Sequence, residues 1–162
     1  QDLGHLLGRT GNIEQKIFHY NEARKIAEEI GDTVQLGFLN MNFGNLYMEL
    51  DKFDSALLMA KNAVRIFEQT GVKKYLGYVY SILGDIYLKN GDIDSALHYY
   101  HKGVNLSIKQ NNIIDKGSIY NKLTVLFLLQ KDKDSSLFYA KKFFHTLDNI
   151  GQFSHNFGGE VF

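Results

Sequence analysis

Apolar residues recur along this chain at helical steps, and the whole pattern returns every 40 residues. Leu39, Phe43, Leu46, Tyr47 and Leu50 fall three or four positions apart, as they must to share one face of a helix. Val79, Leu83, Ile86 and Tyr87 repeat that stripe, and Ile119, Leu123, Leu126 and Phe127 repeat it again. A second stripe follows each of the first two: Phe53, Ala56, Leu57, Ala60, Ala63, Val64 and Phe67, then Ile93, Ala96, Leu97, Tyr100, Gly103 and Val104. The phrases "DSAL" at 54–57, "DSAL" at 94–97 and "DSSL" at 134–137 fix the step, and Gly37, Gly77 and Gly117 obey it. The pattern predicts pairs of helices, A then B, in units 1–31, 32–71, 72–111 and 112–151. The first unit is truncated, and 152–162 begins a fifth unit or a capping segment.

Start and stop signals agree with this periodicity. Each B helix is expected to run about 18 residues, or five turns. An acid stands early in all four, at Glu14, Asp54, Asp94 and Asp134, where it complements the positive end of the helix dipole. Asn12, Asp92 and Asp132 are the expected N-caps, and Gly31, Gly71, Asn111 and Gly151 the expected C-terminal stops. Gly4, Gly8 and Gly11 then belong to the first A helix and the turn after it. Gly44 and Gly84 sit inside A helices, where glycine costs roughly 1 kcal/mol relative to alanine, so a partner backbone is expected to need the space. The expected partner is helix B, through Ala56 and Ala96. One turn further along B the residues alternate as Tyr20, Ala60, Tyr100 and Ala140, so successive interfaces fill volume unequally. With no proline anywhere, the fold class is all-α, an α-α superhelix of antiparallel helix pairs.

Composition narrows the partners. The 162 residues are 44% hydrophobic and 14% aromatic, enough to fill a sizeable core. Lysine plus arginine and aspartate plus glutamate both total 18, so there is no excess charge of the kind that rewards nucleic acid or an anionic membrane surface. The absence of cysteine removes disulfide and thiolate chemistry and suits cytoplasm and periplasm alike, leaving the compartment undetermined. No apolar run approaches the ~18 residues of a membrane span, and Gln1 opens no basic-then-apolar leader.

Catalytic signals are lacking. There is no His-Glu-x-x-His, no Gly-x-x-x-x-Gly-Lys-Ser/Thr and no Gly-x-Ser-x-Gly. "DKDSS" at 132–136 begins like a calcium loop, but Leu137 stands where glycine is required, so it reads as a helix start. His98 and His101 flank a Tyr-Tyr pair on one B helix, three residues apart. The repeat aligns His98 with Phe18, Leu58 and Phe138, which predicts a partly buried ring, and His101 with Asn21, Lys61 and Lys141, which predicts a solvated one. Two such groups do not complete a zinc site. No catalytic residue, metal site or cofactor is expected.

Phe43-Gly44-Asn45-Leu46-Tyr47 with Ala56, Ala60 and Ala63, and Leu83-Gly84-Asp85-Ile86-Tyr87 with Ala96, Tyr100 and Gly103, resemble the tetratricopeptide repeat. The resemblance covers about residues 1–151 and is strongest in the two middle units. Thr124 replaces the glycine in the last unit, Lys16 and Ser136 replace the alanine, and the usual proline after helix B is missing. The 40-residue unit is longer than the familiar one and is similar to repeats of bacterial, Bacteroidetes-type sensor and regulatory proteins.

This resemblance implies a noncatalytic module that holds a protein or peptide segment along the A helices, serving a larger signalling or transcription-regulatory protein. Its inner-face positions fall on Phe38, Met41, Asn45 and Met48, on Tyr78, Ser81, Asp85 and Leu88, on Ser118, Asn121, Val125 and Leu128, and on His5 and Gly8. Asn42 and Lys122 lie beside the row. Asparagines there both donate to and accept from a peptide backbone, while methionines and aromatics give adaptable apolar contact. A basic clamp for a peptide carboxylate is poorly supported, since Asp85 has the wrong sign. The alternative is a structural spacer that self-associates end to end, because Leu3, Leu6, Leu7, Phe153, Phe157, Val161 and Phe162 make apolar termini, as in a slice through a longer array.

Overall fold

The computed structural model describes the backbone of residues 3–157 and the side chains of 13–148. Within them the chain forms α1 (Leu3–Glu29), α2 (Thr33–Glu49), α3 (Phe53–Gln69), a 3-10 turn (Lys73–Tyr75), α4 (Leu76–Lys89), α5 (Ile93–Lys109), α6 (Ile113–Leu129) and α7 (Lys133–Phe157). The expected all-α class is what the backbone adopts, as helix pairs joined by short turns. The chain divides into two compact units, Gln1–Val72 and Lys73–Phe162.

The turns keep a period of their own. Positive φ occurs at Gly31, Asp51, Gly71, Gly91, Asn111 and Lys131, every 20 residues, so each A helix and each B helix between 29 and 133 closes through a left-handed residue. The expected caps Asp92 and Asp132 are in place, accepting from the Ser95 and Ser135 backbone N–H at 3.0 and 3.1 Å. Two A helices are capped as well: Asp32 accepts from the Gln35 N–H at 2.9 Å and Asn112 from the Asp115 N–H at 3.1 Å.

Gly11 and Gly151 continue this 20-residue series, yet no turn forms at either. Helix α1 runs without interruption across 11, and α7 across 151. The expected N-cap at Asn12 and stop at Gly151 are therefore corrected: both positions lie inside helices. Glycine only permits the left-handed conformation; it does not impose it.

In the first unit α2 packs along α3, and α1 lies on α2. Leu39, Phe43, Leu46, Ala56, Ala60, Ala63, Ile66 and Phe67 are buried. Phe43 meets the edge of Tyr20 at 5.3 Å and takes the Arg24 guanidinium over its face at 4.4 Å. A Cβ placed on Gly44 would stand 3.4 Å from the Ala60 nitrogen and 3.5 Å from the Ala56 oxygen, so the expected close approach of helix B exists here.

The second unit holds two pairs, α4 with α5 and α6 with α7, and α5 packs on α6. Its core includes Val79, Leu83, Ile86, Tyr100, Ile119, Leu123 and Leu126. The two pairs reproduce each other ring by ring. Tyr87 stacks on Tyr99 at 5.4 Å and 8°, and 40 residues on Phe127 stacks on Tyr139 at 5.5 Å and 2°. Tyr80 to Tyr99 and Tyr120 to Tyr139 are 6.3 and 6.2 Å. At Gly84 the neighbour is Tyr100, whose ring would lie 2.4 Å from an added Cβ, in place of the expected Ala96. The Ala/Tyr alternation thus sets what each A-helix glycine accommodates: backbone beside Ala60, a ring beside Tyr100.

Candidate binding surface on the A helices

Helix α2 carries Phe38, Met41, Asn45 and Met48 at three- and four-residue steps, which places them on one face, with Asn42 beside them. All five are half-buried. Phe38 is held by an edge contact to Phe67 at 5.2 Å, and that contact is possible because Gly37 has no Cβ: one there would come within 2.7 Å of the Phe67 ring.

The α4 part of the row behaves differently at each position. Tyr78 is 39% exposed. Ser81 is 1% exposed, and its hydroxyl donates back to the Tyr78 carbonyl at 2.9 Å, so it presents nothing to a ligand. Asp85 accepts from the Tyr100 hydroxyl at 2.6 Å through one oxygen and pairs with the Lys122 ammonium through the other. These two charges, each a separate candidate in the sequence, neutralise one another across α4 and α6. Burial first, then the Asp85 charge and hydrogen bond, push the Tyr100 hydroxyl well above the ordinary tyrosine range. Leu88 is half-buried.

On α6 the row is open. Ser118, Asn121, Val125 and Leu128 are all exposed, the last two by 45% and 59%. At the start of this helix Asn112 closes onto Asp115, its amide donating to the carboxylate at 2.8 Å, and burial raises the Asp115 pKa. The side chains of His5 and Gly8, and of the apolar residues Leu3, Leu6, Leu7, Phe153, Phe157, Val161 and Phe162, lie outside the described residues.

The sequence missed the part played by Tyr100. Its signal was present: a tyrosine where the preceding unit has alanine, facing a glycine that is followed by an acid. The histidines also need correcting. His98 is exposed, not half-buried, and stands edge-on to Tyr99 at 5.2 Å. Its repeat equivalents Phe18, Leu58 and Phe138 are 61%, 57% and 53% exposed, so this B-helix position points outward whatever residue fills it. His101 is exposed and lies 6.1 Å from the Tyr139 ring. Among the described residues no group of three histidines or acids is arranged to hold a metal, and no helix is long and apolar enough to cross a membrane.

Residues 77–107, spanning most of α4 and α5, match the family model of the tetratricopeptide repeat. The α4–α5 pair is thus similar to a tetratricopeptide repeat. No curated protein matches it. Among solved structures it is similar to the crystal structure of BtubC (BKLC) from P. vanneervenii, with a TM-score of 0.73 and 19% identity, over 92% of this chain and 62% of that one. The chain thus spans under two thirds of that structure's length, and the likeness is one of fold. Tetratricopeptide repeats are in general protein-interaction modules and in general noncatalytic. The match falls on the pair in which Gly84, Tyr87, Ala96 and Gly103 all stand at the family's positions.

Proposed function

We propose that this chain is a noncatalytic protein- or peptide-binding module, the sensing or scaffolding part of a larger bacterial signalling or transcription-regulatory protein, with helix-pair repeats at 32–71, 72–111 and 112–151 and the single helix α1 in place of a pair at 1–31. The observation that carries the binding reading is the A-helix surface within each of the two units. Phe38, Met41 and Met48 on α2, Tyr78 on α4, and Asn121, Val125 and Leu128 on α6 offer apolar and amide groups with solvent access, while Asp85 and Lys122 cancel each other's charge. Each unit by itself offers a surface that suits an uncharged stretch of extended or helical peptide, with Asn42 and Asn45 reading its backbone and the methionines adapting to its side chains in the first unit, and Asn121 reading its backbone in the second. A peptide-library capture comparing the wild type with a Phe38→Ala, Asn45→Ala, Tyr78→Ala variant tests this. Loss of a captured sequence set in the variant, with helicity unchanged, is the expected result; identical capture by both proteins overturns it.

A second reading, a spacer that self-associates, draws on the apolar surface of the second unit, where Leu128, Leu129 and Phe144 are 59%, 70% and 61% exposed. Light scattering over a concentration series separates the two, since a spacer grows in mass with concentration and captures no peptide.

A further inference from the structure

Between α6 and α7 lies a shallow, open cavity of about 420 Å³ lined by Lys116, Tyr120, Phe138, Lys141, Lys142, His145 and Thr146. Its lining carries three ammonium groups and an imidazole, and none of the acids on the same helices, Asp115, Asp134 and Asp148, takes part. In a chain with no net charge this is a local excess of positive charge around an aromatic floor. Lys142 is held in place there: its ammonium lies 4.8 Å from the Phe138 ring centre and 5.7 Å from that of Tyr120. Tyr120 and Thr146 are buried at the base, and the Thr146 hydroxyl donates to the Lys142 carbonyl at 2.8 Å.

The repeat supplies an internal comparison. Forty residues earlier, α4 and α5 form a cavity of about 290 Å³ lined by Leu76, Tyr80, Lys102, Asn105, Leu106 and Lys109. Lys102 stands 4.3 Å over Tyr80, as Lys142 stands over Tyr120, so the lysine–tyrosine contact belongs to the architecture of the pair. Among the lining positions, Lys116 stands in place of Leu76, His145 in place of Asn105 and Thr146 in place of Leu106; Lys141 and Phe138 join the lining of the last pair, whereas Lys109 lines only the earlier cavity and has Asn149 as its repeat equivalent. The balance, three lysines with Phe138 and Tyr120 against two lysines with Tyr80, turns the last cavity toward an anion with a flat apolar part.

We propose that the α6–α7 cavity binds a small organic dianion carrying a planar ring, an aryl phosphate being the type. Its phosphoryl oxygens sit among Lys116, Lys141 and Lys142, which act on phosphate as point charges, and its ring lies on Phe138 and Tyr120. The volume is that of a small-molecule site, and the open mouth admits a free ligand. This site uses neither Asn45 nor Tyr78, so it stands or falls independently of the peptide-binding reading.

The test is titration of the 15N-labelled chain with phenyl phosphate, followed by amide chemical shifts. Saturable shifts confined to residues 116–120 and 138–146 are expected. Lys116→Gln with Lys141→Gln leaves the Lys142 contact intact and should weaken binding by about tenfold or more, while Lys102→Gln in the neighbouring cavity should leave it unchanged. Benzyl alcohol and inorganic phosphate, each lacking one half of the ligand, should both bind more weakly. The proposal is overturned if phenyl phosphate gives no saturable shift, if the double variant stays folded and binds within about twofold of wild type, if inorganic phosphate binds equally well, or if a Glu-Glu-Phe-Glu-Glu peptide binds more tightly than phenyl phosphate at these residues.

Discussion

The Tyr100 ring occupies the space where Gly84 would carry a Cβ, with two ring carbons 2.4 Å from that point. Forty residues earlier the corresponding pair, Gly44 and Ala60, leaves room: the nearest atom to an added Cβ is 3.4 Å away. The same substitution should therefore have opposite results at equivalent positions. Gly84→Ala forces a fully buried ring out of place and should destabilise the chain by about 1–3 kcal/mol even after the helix-propensity gain. Gly44→Ala meets ordinary van der Waals contact and should be neutral or stabilising by up to about 1 kcal/mol. Urea denaturation of the two variants checks this. Gly84→Ala should cost less in a Tyr100→Ala background than in the wild type, because the ring it displaces is gone, although Tyr100→Ala is itself destabilising through the cavity it leaves.

The Tyr100 hydroxyl, buried and donating to Asp85, ties stability to alkaline pH. Its folded-state pKa is raised above the unfolded value of about 10. The folded state therefore keeps a proton that the unfolded chain gives up, and the stability this contributes is fully present below pH ~10 and lost as pH climbs beyond it. Tyr120 and Tyr139 are raised by burial in the same direction. Tyr100→Phe should cost about 1–2 kcal/mol at neutral pH through the lost hydrogen bond. It should also flatten the decline of stability between about pH 9.5 and 11. Thermal melts of both proteins across that range give the answer, and parallel curves for the two would count against the Tyr100 account.

Helix closure predicts a further contrast. Lys131 and Asp51 hold left-handed backbone at φ of 61° and 56°, while Gly91 holds it at 84° with nothing within 4 Å of an added Cβ. Space is thus no obstacle at Gly91, and the cost of a side chain there is conformational. Lys131→Gly should raise stability by about 0.5–1 kcal/mol and Gly91→Ala should lower it by about 1 kcal/mol. Melting temperatures moving in opposite directions are the expected observation; a fall in both would mean that Lys131 makes a contact worth more than its backbone strain.

Much of the repeat is legible in the amino-acid sequence. The 40-residue step places the A and B stripes, and buried Leu39, Phe43, Val79, Leu83, Ile119 and Leu123 lie where helical periodicity puts them. The caps Asp92 and Asp132 are readable for the same reason, since a cap depends on residues only three positions away. The candidate surface is legible as a set of positions and not as a set of accessibilities. Ser81 and Asn121 occupy equivalent places in consecutive units, yet one is buried and the other exposed.

By itself the sequence determined what local chemistry and repetition can determine: helix type, pairing, register and most of the stops. Tertiary structure decided everything that depends on a neighbour's size or presence. Gly11 and Gly151 carry the same residue as Gly31, Gly71 and Gly91, but the chain turns at the latter three and runs on as helix through the former two. A glycine makes the left-handed turn accessible, and only packing of the following segment makes it preferred. Likewise His98 shares a register position with three apolar residues, and that position proved to face outward in all four cases. Asp85 and Lys122 are 37 residues apart in sequence, and their pairing, with Tyr100 as the third member, exists only because α4, α5 and α6 bring three different faces together.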